Sequence, residues 1–259
     1  MPFTLAHAAA AFPLRRFGLV FSALILGTFA PDLEYFLRLA PDDGYGHTLN
    51  GLFLLTLPLA LITLWLFHVV VKRPLIGLLP SGIARRLAIH ADEFSFRGPV
   101  HFGLIVLSIL VGAATHLAWD SLTHKNTWPY RNWDILREGV TLPFLGSLPI
   151  YKILQHGSTV LGIGVLSVWV ILWYRKSQPS PEAAFQTLSQ ARKIGIVISA
   201  TTLALVGAVV RAIVMVGFSP SNLIGKRTAG LIVVTAISLL WWQCVLYGVW
   251  WQKFRPSES

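Results

Sequence analysis

Residues Val100–Trp119 read VHFGLIVLSILVGAATHLAW, an uncharged apolar stretch, and the chain continues directly into Asp120-Ser-Leu-Thr-His124. The hydrocarbon core of a bilayer is about 30 Å thick, and a helix crosses it in roughly 20 residues. By length and composition this stretch is a membrane-spanning helix, ending on polar groups that hydrocarbon does not tolerate without partners. Four more stretches have the same character, at about Leu49–Val71, Ile153–Tyr174, Ile194–Phe218 and Ala229–Trp251. Trp119, Trp173, Tyr174, Trp250 and Trp251 lie near their ends, where amphipathic rings favour the membrane interface.

The whole composition agrees. Of the 259 residues 54% are hydrophobic and 12% charged, and the mean hydropathy is +0.64, which excludes a water-soluble domain. The expected fold is an all-α polytopic membrane helical bundle of five to six transmembrane helices. It is read as a single integral membrane domain over residues 1–259, with a metal-site half at 1–160 and additional transmembrane helices at 161–259. The formal charge of +10 would suggest nucleic acid in a soluble protein. Here Lys and Arg stand in pairs beside apolar runs, so membrane lipid is the expected partner and nucleic acid is not. Cys244 is the single cysteine, which excludes an intrachain disulfide; inside an apolar run it reads as packing. Residues 1–16 lack the basic start and long apolar core of a cleavable signal and are expected to remain on the protein.

A sixth segment, Phe17–Ala30, would reach only about 21 Å as a helix. It either spans a thinned region or packs inside the bundle without crossing. With six crossings, Arg15, Arg16, Lys72, Arg73, Arg85, Arg86, Arg97, Arg175, Lys176, Arg192, Lys193, Lys253 and Arg255 share one face, which makes that face cytoplasmic. Asp32, Glu34, Asp42, Asp43, Asp120, Asp134 and Glu138 fall on the other, and any chemistry is expected there. The long connection Lys125–Lys152, rich in Trp, Tyr, Gly and Pro, lies on that face and suits a substrate-shaping lid.

The strongest local signal is His116-Leu-Ala-Trp-Asp120-Ser-Leu-Thr-His124, whose polar residues are four apart and so share one helical face. Imidazole and carboxylate on one stripe suit zinc or a similar divalent ion, and a carboxylate can bridge two. The plainer alternative is that His116 and Asp120 bond each other at a helix end while His124 caps it or faces solvent. Asp32, in Pro31-Asp-Leu-Glu34, and His47 are the next candidates, although Asp32 could be an N-cap. Glu34 and His156 could stand behind the ligands, the latter with no acid four residues on. His7 joins the set only if Phe17–Ala30 does not cross. His68, His90 and His101 read as interfacial or structural. Arg211, inside the fourth long apolar run, needs a carboxylate, a helix end or lipid phosphate.

At these residues the chain resembles the uncharacterised bacterial membrane proteins grouped as domain of unknown function 4184. The likeness rests on Met1-Pro-Phe-Thr-Leu-Ala-His7, Ala30-Pro-Asp-Leu-Glu-Tyr35, His47, Lys72-Arg-Pro-Leu75 and Thr115-His-Leu-Ala-Trp-Asp-Ser-Leu-Thr-His124, and spans about the first 160 residues. That family is similar to inner-membrane proteins described as metal-dependent hydrolases, and more distantly to zinc-dependent phospholipase C and single-strand nucleases. The resemblance implies a ligand order of His7, Asp32, His47, His116, Asp120 and His124. The final pair of that pattern is incomplete, since His156 is followed four residues on by Val160, and Met1 does not match the N-terminal Trp ligand of the soluble enzymes. One or two ions, rather than three, are therefore expected.

The leading expectation is a membrane-embedded metal-dependent hydrolase of a phosphoester such as a lipid headgroup or lipid pyrophosphate. It would sit in the bacterial inner membrane with its site on the extracytoplasmic face. The divalent metal is expected to be zinc, Asp32 the catalytic carboxylate, and Arg131, Arg137 and Trp128 the substrate contacts. The competing expectation is a non-catalytic membrane protein with a structural metal site or no metal. A transporter is disfavoured, because its polar residues would gather at mid-membrane on broken helices.

Overall fold

The computed structural model describes residues 3–41, 44–91, 94–96, 98–143, 146–180, 188–218 and 225–254. Asp42, Asp43, Arg97 and Arg255 lie outside the described residues. A 3₁₀ run Thr4–Ala10 leads into α1 (Ala11–Leu14), a 3₁₀ turn Arg15–Phe17 and α2 (Phe21–Gly27). A 3₁₀ turn Ala30–Asp32 precedes α3 (Leu33–Arg38), and another, Tyr45–His47, precedes α4 (Leu49–Gly51). α5 (Leu57–Trp65) and α6 (Lys72–Leu78) continue from α4 through π-helical turns at Leu52–Thr56 and Leu66–Val71. Then come α7 (Ser81–Leu87), α8 (Pro99–Thr123), α9 (Trp128–Asn132), the antiparallel strands β1 (Gly139–Leu142) and β2 (Gly146–Pro149), α10 (Ile150–Lys176), α11 (Gln190–Val216) and α12 (Lys226–Phe254).

Among the described residues five helices are long and apolar enough to cross a membrane: Leu49–Leu78, Pro99–Asn132, Ile150–Lys176, Gln190–Val216 and Arg227–Phe254. The chain is thus a helical, multi-pass membrane protein. The two-stranded hairpin in the connection before α10 is its one departure from an all-α reading among the described residues. There Val140, Thr141 and Leu142 alternate opposite Leu148, Ser147 and Gly146, and Gly146 adopts φ +72° at the start of β2.

Two compact units divide the chain: Met1–Leu33, Tyr45–Leu61 and Phe96–Arg175 form one, and Glu34–Gly44, Ile62–Ser95 and Lys176–Ser259 the other. α10 stays with the first unit almost to its end, and parts of the first hundred residues belong with the C-terminal helices.

In the first unit the N-terminal residues form a re-entrant helical hairpin on α8 and α10. Its outgoing arm runs down α10, from the Phe3 amide donating to Thr159 Oγ1 at 3.1 Å to Phe12 lying 5.0 Å from the Trp169 ring. Gly18, at φ +73° in the left-handed region that closes helical turns, reverses the chain. α2 then climbs α8, from the Val20 amide on Ser108 Oγ at 2.9 Å to the Thr28 carbonyl at His116. Neither sequence reading of Phe17–Ala30 included a partner arm. The segment returns along α8, so His7 and Asp32 end at the same level while Arg15 and Arg16 are exposed at the turn. The outgoing arm is too short to read as a span and is largely 3₁₀. α2 lies against α8 without intervening side chains, because both contact points are glycine. A Cβ on Gly112 would sit 2.8 Å from Gly27 Cα and collide with the Leu24 carbonyl, and one on Gly27 would sit 2.9 Å from Ile109 Cα.

The π turns of the first span have a cause in the sequence. A proline removes the hydrogen bond to the carbonyl four residues back and its ring crowds that oxygen. Pro58 and Pro74 direct this clash at Leu54 and Val70, both inside the widened turns. In the second unit the loosened carbonyls find other partners. Gln252 Nε2 donates to Val69 O at 2.6 Å, and Gly248 lies so close to Val70 O that no Cβ fits. Val70, Val71 and Val245 form a core that includes Cys244, in the packing role its position suggested. α11 and α12 pack through the buried Ala204, Ala208 and Ala212. Arg211 finds a helix end, donating to Leu39 O at 2.6 Å and Arg38 O at 3.4 Å beyond α3, and to Thr235 Oγ1 at 3.2 Å. His68 stacks on Phe94 at 3.6 Å.

Candidate metal centre

The first unit brings His7, Asp32, His47, His116, Asp120 and His124 together. His116 and Asp120 come from successive turns near the end of α8, and His124 is its C-cap residue, extended at φ −115° and ψ 151°. His7, Asp32 and His47 each lie on a 3₁₀ segment. Asp32 and His116 are completely buried, and His7 and Asp120 are each 7% exposed.

The separations fit a shared ion better than direct bonding. His116 Nε2 lies 3.4 Å from Asp120 Oδ2 and 3.6 Å from Asp32 Oδ1. His7 Nε2 is 3.5 Å from Asp120 Oδ1, and His47 Nε2 is 3.4 Å from Asp32 Oδ1. Hydrogen bonds from nitrogen to oxygen run about 2.7–3.2 Å. Two donors on one tetrahedral ion, each about 2.0–2.2 Å from it, stand roughly 3.3–3.5 Å apart. Two triads, His7–His116–Asp120 and Asp32–His47–His116, each have ligand atoms within 4.8 Å of one another. They share His116, whose Nε2 has one lone pair and serves one ion. Asp120 has one oxygen toward His7 and the other toward His116, so it could contribute to holding a second ion.

The surroundings set each ligand's state. His116 Nδ1–H donates to Thr28 O at 2.9 Å, which leaves the lone pair on Nε2, directed at the carboxylates. His124 Nδ1–H likewise donates to the Asp120 carbonyl at 3.0 Å. Thr4 Oγ1 donates to Asp32 Oδ2 at 2.6 Å and leaves Oδ1 facing the histidines. Burial, reinforced by His116, lowers the pKa of His7 to about 4, so at neutral pH its imidazole is uncharged, the form that binds metal. His7 Nε2, Asp32 Oδ1, His116 Nε2, Asp120 Oδ1 and His124 Nε2 are all buried without a hydrogen-bond partner. Buried polar atoms cost about 1–3 kcal/mol each when unsatisfied. Those of His7, Asp32, His116 and Asp120 belong to the two triads and have the donor chemistry that would hold a divalent cation.

Thr4 and the Thr28 carbonyl were not among the residues read from sequence. Thr4 was within reach, since it stands three residues before His7, and a 3₁₀ helix eclipses positions three apart. Replacing Thr4 by valine keeps the shape and removes the bond to Asp32. Metal affinity, measured by competition with a chelating dye, is expected to fall about 10–100-fold. An unchanged affinity would mean that Asp32 needs no such support.

The other sequence candidates stand elsewhere. Glu34 belongs to the second unit, where it is buried and pairs with Arg38 at 2.5 Å. His156 is exposed on α10. Arg137 is engaged within its own loop, donating to Tyr130 O at 2.6 Å, to Arg131 O at 2.7 Å and to Asp134. Trp128 is 67% exposed, with its ring edge-on to Trp133 at 6.2 Å, and Arg131 is exposed as well.

Fold and cluster together define a multi-pass helical membrane protein with a buried His/Asp group of metal-ligand geometry. The chain matches the domain of unknown function (DUF4184) over residues 1–249 and belongs to that family. The likeness thus extends well past the first 160 residues and includes most of α12. Comparison with curated proteins found no match, and comparison with solved structures found none.

Proposed function

We propose that this protein is a metal-dependent hydrolase of phosphoesters, embedded in the bacterial inner membrane and acting on membrane lipid from the extracytoplasmic side. The observation that carries this reading is the convergence of unpartnered, buried imidazole nitrogens and carboxylate oxygens at distances suited to one or two ions. Mixed His and Asp ligands favour zinc. A divalent ion bound there would act as a Lewis acid and lower the pKa of a water to about 7.

The chain's own groups have separable tasks. His7, His47, His116 and His124 can supply nitrogen donors, and Asp120 can divide its two oxygens between two positions. Asp32, with Oδ2 held by Thr4, presents Oδ1 to hold or accept the proton of an attacking water. The cluster is closed around His116 and Asp32 but opens toward His47 and His124, whose side chains are 19% and 22% exposed. That opening suits a catalytic site, which keeps a place for water or substrate, more than a closed structural one. The exposed Arg15 and Arg16, at the hairpin turn away from the cluster, fit a cytoplasmic far end.

The test is metal analysis of detergent-purified protein followed by a panel of short-chain and lipid phosphoesters. Hydrolysis that a chelator abolishes and zinc restores is the expected result. A metal-replete protein that cleaves none of them would instead be one in which the ion is structural, as the near-complete burial of Asp32 and His116 would also allow.

A further inference from the structure

Beside the cluster, the Thr4–Ala10 run, α8 and α10 enclose a groove of about 540 Å³, within the range of about 300–1,000 Å³ typical of ligand pockets. It exists because its walls are made of small residues, among them Ala6, Ala9, Ala10, Ala118 and Gly162. At Gly162 the arm and α10 approach so closely that a Cβ would lie 2.7 Å from Ala6 Cβ. The groove's hydroxyls are turned away: Thr115 Oγ1 donates to Gly112 O at 2.7 Å and Ser158 Oγ to Gln155 O at 3.1 Å, each within its own helix. Among the lining residues only His7 is ionisable, and its Nε2 is the atom 3.5 Å from Asp120.

We propose that this groove holds the hydrocarbon chain of a membrane lipid whose phosphate-bearing end lies at the His/Asp cluster. The inference rests on the hydrolase reading and narrows its substrate class to lipid phosphoesters that enter sideways from the bilayer. Two features select this occupant. Both helical walls belong to membrane-crossing segments, so the surroundings supply hydrocarbon, and a hydrated ligand would lose its water against a wall that offers almost no hydrogen bonds. Through His7 the apolar wall is also continuous with the ligand set, so one molecule with an apolar tail and an anionic head fits both.

The experiment uses the full chain and a phosphatidic acid carrying a photoreactive group on its acyl chain. Wild type is expected to cross-link within the Thr4–Ala10 run, α8 or α10. Ala118→Trp and Leu161→Trp, which fill the groove from opposite helices at exposed positions, should each reduce that cross-linking tenfold or more. Val214→Trp, at a position 76% exposed on α11, should leave it unchanged, and thermal melting checks that all three variants fold. Equal cross-linking in wild type and in both groove variants overturns the proposal. Groove labelling in a protein that binds no metal would overturn the hydrolase reading alone, whereas phosphoester hydrolysis with labelling spread over all lipid-facing helices would overturn the groove alone.

Discussion

Replacing His116 by alanine is expected to remove the bound metal, lowering the content measured by mass spectrometry at least tenfold, beyond the effect of any other single histidine. His116 alone belongs to both candidate triads. Its Nδ1–H is held by Thr28 O at 2.9 Å, so Nε2 is set before any ion arrives. The substitution removes a central donor and leaves Asp32 and Asp120 buried with less compensation, a cost that falls on folding as well as binding. His124→Ala, at the more exposed edge, should retain more metal. Full occupancy in His116→Ala would remove the cluster as the metal site.

Gly112→Leu is expected to detach the N-terminal hairpin. The new side chain would meet the backbone of Gly27 and Leu24, which cannot move aside as a flexible side chain can. Overpacking of this kind costs about 1–3 kcal/mol or more. Displacing α2 also withdraws the Thr28 carbonyl from His116 and shifts Asp32, so melting temperature and metal content should fall together. Gly103→Leu, on the same helix where a Cβ meets nothing within 4 Å, is the control and should change neither. If Gly112→Leu keeps both its metal and its melting temperature, the close glycine contact is not what docks the hairpin.

The spans and half of the cluster were legible because they are local. Uninterrupted apolar runs give the five helices, and a four-residue spacing gives His116, Asp120 and His124 on one face. Asp32, His47 and, conditionally, His7 were candidates from their positions, but only the resemblance linked them as one ligand set, since no periodicity joins 3₁₀ turns so far apart in sequence. The hairpin escaped because its outgoing arm is neither long nor strongly apolar, and the information that docks it lies in Gly27 and Gly112, where an absent side chain leaves no positive signal. The charge of Arg137 is visible in sequence, while the loop carbonyls to which it donates are not. Glu34, two residues beyond Asp32, groups with the second unit, a boundary that adjacency in sequence does not reveal.

The hairpin also has a consequence for assembly. Its residues leave the ribosome well before their partners, from Ser108 to Trp169, are made. The bond from Phe3 to Thr159 closes a sequence separation of 156, and that from His116 to Thr28 one of 88. Contacts so distant are slow to find, so the hairpin, made before the helices it packs on, should be among the last segments to settle. The ligand cluster is complete only when it does, and metal uptake would then mark the end of biogenesis.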